Sequence, residues 1–259
     1  MYINGYCVYK QVELHQMKME TIIEKYNNLQ KEILSDFSLK WDGENCETTF
    51  RNDVKDFYGF EKKFGWNILL NAFYVIDDTE FAKNSFKEFD LQGPSRHRDV
   101  GERYLRLYGL LNATYQQKLA VENLLEIHKV EKKKEFKKKL SESKLIIIRN
   151  KIGAHSANFF STKDNSEHKF DVYEISRSEL ERGKIRLLRN QKDFENYDLE
   201  KSIKEFNELV EEILSIVIGK VIKKIFKNQG KHFKEYQTIN EIRNGAILVN
   251  GNLIKFITK

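Results

Sequence analysis

The stretch LEKSIKEFNELVEEILSIVIGKVIKKIF, residues 199–226, decides the fold class. Ile203, Phe206, Val210, Ile213, Leu214, Val217, Val221 and Ile225 recur at the three- and four-residue steps that line one side of an α-helix. Lys and Glu fill the remaining positions. A stripe this broad has to be covered by other helices, so the chain reads as a mainly α helical bundle.

Working outward, the same period appears repeatedly. Gln11–Leu34 reads as one amphipathic helix, followed by a polar break at Lys40–Asn45. Trp66–Ile76 is apolar almost all round and predicts a buried central helix. Asp77, Asp78 and Thr79 interrupt it, with Thr79 placed to cap a second short helix carrying Phe81, Phe86 and Phe89. Gly93-Pro94-Ser95 is the clearest stop, and Pro94 is the single proline. Asp99–His128 predicts a long helix, and Glu131 to about His155 predicts another. Two short strands are expected at Phe170–Ser176 and Lys184–Leu188, joined by a turn ending near Gly183. Ala246–Val249 and Leu253–Ile257 flank Asn250-Gly251, the strongest short hairpin signal, because both central residues of that turn need positive φ. The expected organisation is a single domain over 1–259. It comprises an N-terminal helical extension (1–65), a helical core (66–230) and a C-terminal β-hairpin (237–259).

Composition narrows the function classes. The chain has 259 residues, 32% of them charged, and a net charge of +6, which favours a polyanionic partner such as RNA. Its two cysteines, Cys7 and Cys46, make no disulfide framework and fit a reducing cytoplasm. No signal peptide is visible, and no apolar run reaches the roughly 18 residues of a membrane span. There is no phosphate-binding glycine loop, no nucleophile elbow and no Cys or His pairing at zinc spacing, so no metal or cofactor is expected. Asp77, Asp78 and Glu80 read better as acids near a helix N-terminus than as metal ligands.

The segment that can carry chemistry is Ile146-Ile147-Ile148-Arg149-Asn150-Lys151-Ile152-Gly153-Ala154-His155-Ser156. It places a permanent cation, an amide and an imidazole within seven residues. An imidazole can move a proton at a 2′-hydroxyl or a leaving oxygen, and a guanidinium can hold a phosphate oxygen. On an ideal helix Arg149 and His155 point about 120° apart and lie about 9 Å apart along the axis. A distorted helix end near Gly153, or a second copy across a two-fold axis, would be needed to bring such groups together. The alternative is a plain helix C-terminus, with Gly153 ending the helix and His155 facing the last carbonyls.

This segment resembles the motif of the HEPN superfamily. There an Arg, usually followed by a polar residue, precedes a His with four to six residues between; here five separate Arg149 and His155. Tyr104-Leu105-Arg106-Leu107-Tyr108-Gly109 looks like the partner helix of some HEPN-like bacterial proteins. The resemblance, over about 66–230, implies a helical bundle that dimerises with its motifs face to face. In active members it implies metal-independent endoribonuclease activity, with Arg149 as phosphate clamp, Asn150 as orienting group and His155 as acid/base. It also implies a toxin–antitoxin or phage-defence setting, with an antitoxin or another defence protein as a possible partner. Inactive members imply a non-catalytic module that binds RNA, nucleotide or a protein.

Two basic stretches suit a phosphate backbone. The first, Lys129–Lys139, supplies Lys132, Lys133, Lys137, Lys138 and Lys139 as RNA contacts, with Lys151 nearby. On one helix it would lie about 15 Å from Arg149. The second is the stripe Lys220, Lys223, Lys224, Lys227 and Lys231. Either is otherwise a solvated lysine face. Tyr104, Tyr108 and Tyr115 read as core residues, and His97, between Arg96 and Arg98, reads as part of a basic loop.

Overall fold

A computed structural model describes residues 20–38, 55–56, 59–60, 65–94, 99–154, 171–180, 183–225, 237–239, 241–242, 246–249 and 252–255. Within them the chain is mainly helical with small β additions. In order, the elements are α1 (Ile22–Ser38), α2 (Gly65–Phe89), α3 (Val100–Ile127), α4 (Lys133–Ser141), α5 (Lys144–Arg149) and a π turn (Asn150–Ala154). There follow β1 (Tyr173–Ile175), a 3₁₀ turn (Arg177–Glu179), β2 (Lys184–Arg189), β3 (Asp193–Asp198), α6 (Leu199–Ile225), β4 (Ala246–Val249) and β5 (Asn252–Lys255). No helix among the described residues is long and apolar enough to cross a membrane.

The helix starts are written in the side chains. Thr21 accepts from the Glu24 N–H at 3.1 Å, and the Glu24 carboxylate accepts from the Thr21 N–H at 2.6 Å. This reciprocal capping box begins α1 inside the span read as one helix from Gln11; residues 11–19 and the expected break at Lys40–Asn45 lie outside the described residues. Asp99 caps α3 by accepting from Gly101 N–H at 2.8 Å, and Asp198 caps α6 by accepting from Lys201 N–H at 2.9 Å.

α6 keeps its predicted stripe. Phe206, Val210, Ile213, Leu214, Val217 and Val221 are buried against α1, α3, α4 and α5, each contributing roughly 1.5–3 kcal/mol. α2 and α3 run antiparallel, as the Thr79–Ala113 and Ser85–Arg106 hydrogen bonds require. α2 corrects two expectations. It is one continuous helix, because Thr79 does not cap: its hydroxyl donates to the carbonyls of Val75 and Ala113. It is also not buried all round, since Leu70, Tyr74 and Phe81 are exposed while Leu69, Ala72, Phe73 and Ile76 enter the core.

Mid-helix placement also changes the acids. Asp77 accepts from Asn27 and pairs with Lys31, whereas Glu80 is buried against Lys83 at 2.5 Å. Gln117 and Thr21 donate to Glu80, and Lys83 donates to Gln117 and Asn207, so the buried charges are fully embraced by α2, α3, α6 and the α1 cap. Removing one partner would leave a buried charge, at a cost of about 3–5 kcal/mol. Among the described residues, no cluster of His, Cys, Asp and Glu gathers as metal ligands.

β1, β2 and β3 form an antiparallel sheet in that order, with Glu174 opposite Leu188 and Leu187 opposite Glu195. β3 is an addition to the two strands expected. Its turn holds Asn190 and Gln191 at φ 51° and 56°, a backbone that Asn tolerates and Gln rarely adopts. β4 and β5 pair antiparallel as the hairpin signal predicted, and residues 250–251 between them lie outside the described residues.

Candidate functional site

The single helix expected from Glu131 to His155 is three pieces. α4 stops at Ser141, α5 restarts at Lys144, and the backbone then widens into the π turn. The break therefore removes the straight 15 Å run between Lys139 and Arg149. α5 is an apolar run that buries Leu145, Ile146 and Ile148, and Ile152 anchors the π turn four residues further on. The turn packs against α3 and β1. Asn150 N–H is shared between the carbonyls of Ile146 and Ile147 at the junction. π turns are rare and concentrate at functional sites. Gly153 does not have positive φ, so it is no left-handed helix stop.

Arg149 and Lys151 leave this turn for different surroundings. The Arg149 guanidinium carbon lies 3.9 Å from the centre of the Tyr115 ring on α3. Its Nη1 donates to Asn150 Oδ1 at 3.2 Å. Among the described residues no carboxylate pairs with Arg149. A second cation, Lys118, lies 5.6 Å from the same ring but has its own carboxylate, Glu122, at 2.8 Å.

Lys151 points to the sheet. Its ammonium pairs with Glu195 at 2.5 Å, donates to Tyr197 Oη at 2.9 Å and lies 4.5 Å from the Tyr173 ring centre. Tyr197 donates to the same Glu195 oxygen at 2.5 Å. Burial would raise the Glu195 carboxyl, but the bonds from Lys151 and Tyr197 hold it below its ordinary value. Burial likewise opposes the Lys151 charge, and the bonds to Glu195, Tyr197 and Tyr173 outweigh it and raise the ammonium. Lys151, expected as an RNA contact, is thus committed to tying the π turn to β1 and β3.

The α4 lysines are held mostly by neighbouring acids. Lys133 and Lys137 both reach Glu126, at 2.6 and 2.5 Å, and pull its carboxyl down to about 2. Lys139 pairs with Glu135 at 2.9 Å, and Lys138 stands 3.8 Å from Glu142. Lys132 precedes α4 and is exposed. On the second basic stripe, Lys220 donates to the Lys129 carbonyl at 2.8 Å; Lys227 and Lys231 lie outside the described residues.

The structure therefore brings together Arg149 and Asn150, whereas Lys151 and most of the α4 lysines have acidic partners of their own. His155 lies outside the described residues, as do Arg96, His97 and Arg98. Sequence reading missed the roles of Tyr115, Glu195 and Tyr197. Tyr115 was visible only as a member of an aromatic stripe; Glu195 and Tyr197 carry the signal of alternate positions on a strand that the polar sequence DFENYD disguises. The chain matches no family model, no curated protein and no solved structure.

Proposed function

We propose that this chain is a HEPN-like, metal-independent endoribonuclease that works in the cytoplasm as a homodimer, in a toxin–antitoxin or phage-defence setting. The observation that carries the reading is Arg149: a guanidinium stacked on an aromatic ring and unpaired with any described carboxylate, at the head of a π turn that leads to His155. A cation held by a ring keeps its charge for an anion, and a guanidinium suits a phosphodiester.

In this reading His155 takes the proton of the 2′-hydroxyl. The 2′ oxygen attacks phosphorus, the bond to the 5′ oxygen breaks, and the leaving oxygen gains a proton from the partner motif's imidazole. The products are a 2′,3′-cyclic phosphate and a 5′-hydroxyl. Arg149 holds a non-bridging oxygen as charge builds there, and Asn150 orients the guanidinium. The second reading is a non-catalytic module that binds RNA, nucleotide or a protein partner, favoured by the exposed lysines on α4.

Incubation with RNA in EDTA, beside Arg149→Ala and His155→Ala, separates the two. Cleavage that persists in chelator and is lost in both variants supports the nuclease. Equal cleavage by all three overturns it, and RNA binding without cleavage favours the second reading.

A further inference from the structure

We infer that Tyr115 is the positioning residue of the Arg149 phosphate clamp, an assignment that rests on the ribonuclease reading for its chemistry but on geometry for its placement. Tyr115 comes from α3 and Arg149 from α5, so the contact joins two helices across the core edge. At 3.9 Å from the ring centre, the guanidinium carbon is at stacking distance. Stacking occupies a face of the planar cation and leaves its N–H edge to meet phosphate oxygens. Asn150 takes one N–H on that edge at 3.2 Å and fixes the in-plane rotation. Ring and amide together therefore set both the tilt and the spin of the guanidinium.

Charge balance around the ring supports the same assignment. Lys118 over the ring is answered by Glu122, whereas Arg149 has no described carboxylate. Among the described residues, the excess charge beside Tyr115 thus belongs to Arg149. This contrasts with Lys151, two residues on, which is neutralised by Glu195.

The test uses the full chain. In arginine-labelled wild type, the Arg149 side-chain protons should be shifted upfield by the ring current of Tyr115. The shift should survive in Tyr115→Phe and vanish in Tyr115→Leu. Cleavage of RNA should fall about tenfold in Tyr115→Leu and stay near wild type in Tyr115→Phe. In denaturant unfolding, the stability losses of Tyr115→Leu and Arg149→Ala should be less than additive in the double variant, because both changes remove the same interaction. Tyr115→Met replaces the leucine variant if that one does not fold. An unshifted Arg149 in wild type, wild-type cleavage by Tyr115→Leu, or independent additive losses would overturn the inference. If wild type cleaves no RNA, the ribonuclease reading falls while the ring-current shift still decides the stack.

Discussion

Two basic regions lie close in sequence and are built on opposite plans. The lysine helix α4 places its cations at the surface, where Glu126 and Glu135 answer several of them. The end of α5 and the π turn that follows carry two cations, Arg149 and Lys151, and each is fixed by aromatic rings and a specific polar partner. Surface pairs contribute little, typically below about 1 kcal/mol, because water screens them and long side chains must be ordered. The turn is half enclosed, so its contacts set geometry as well as charge. The difference teaches that abundant lysine is largely answered by neighbouring acids at a surface, while among the described residues Arg149 is held by a ring and an amide and not by a carboxylate.

The comparison breaks most sharply at Arg149. Replacing it with lysine keeps the charge but loses the plane and the fork, so RNA cleavage should drop about 100-fold in Arg149→Lys. The same exchange in reverse just before α4, Lys132→Arg, should leave the rate unchanged. A gel assay of the two variants side by side decides whether the turn needs a guanidinium and the helix only a charge.

The next effect is on stability and its pH dependence. His128, at the end of α3, is held by burial and by Lys224 and Lys220 down to about 3, from an ordinary 6.5. Its folded value is depressed, so the unfolded chain binds the extra proton. Stability is then full above pH 6.5 and declines as pH falls toward 3, by about 1.4 kcal/mol per pH unit at most. His128→Gln should flatten the chemical-denaturation midpoints between pH 4 and 6.5. A wild-type midpoint independent of pH across that window would refute the assignment.

The turn has a different acid limit. Glu195 is depressed, so its contribution is present above the ordinary carboxylate value and is lost only as pH falls through the lower folded value. Glu195→Gln should cost about 1–2 kcal/mol at neutral pH and speed hydrogen exchange at residues 150–154. Exchange there as slow as wild type would show that Lys151 does not hold the turn. At the lysine-rich surface around α4, by contrast, Lys132→Ala with Lys138→Ala should change stability by less than about 0.5 kcal/mol. Those two changes should also lower the salt dependence of RNA binding by up to about 0.7 per lost single-strand phosphate contact.

A small stabilising change sharpens the account of the turn itself. A methyl group on Gly153 would meet Arg149 Cγ at 3.9 Å, an ordinary contact. Because Gly153 has helical-type backbone without positive φ, Gly153→Ala should stabilise by about 0.5–1 kcal/mol. Destabilisation on thermal melting would mean that Gly153 has a close-approach role instead.

Much of the helical frame was legible. α3 and α6 appear almost at their predicted limits, because apolar residues at helical spacing and an acidic N-cap agree with one another at each. α2 was misread as two helices because Asp77, Asp78 and Thr79 look like a break. Asn27, Lys31 and the Ala113 carbonyl, distant in sequence, satisfy Asp77 and Thr79. Glu131 to about His155 reads as a single helix in the sequence because periodicity does not register the π turn or the two-residue interruption that break it.

The sequence alone determined the mainly α class, the placement of most helix starts and the Arg149–His155 segment, since these follow from local spacing and residue chemistry. Only the tertiary structure decided which cation in that segment has a carboxylate partner among the described residues and which does not. That choice depends on Tyr115 lying beneath Arg149 and Glu195 reaching Lys151. Both partners are more than thirty residues away, and no local pattern in the chain encodes contacts made across a packed core.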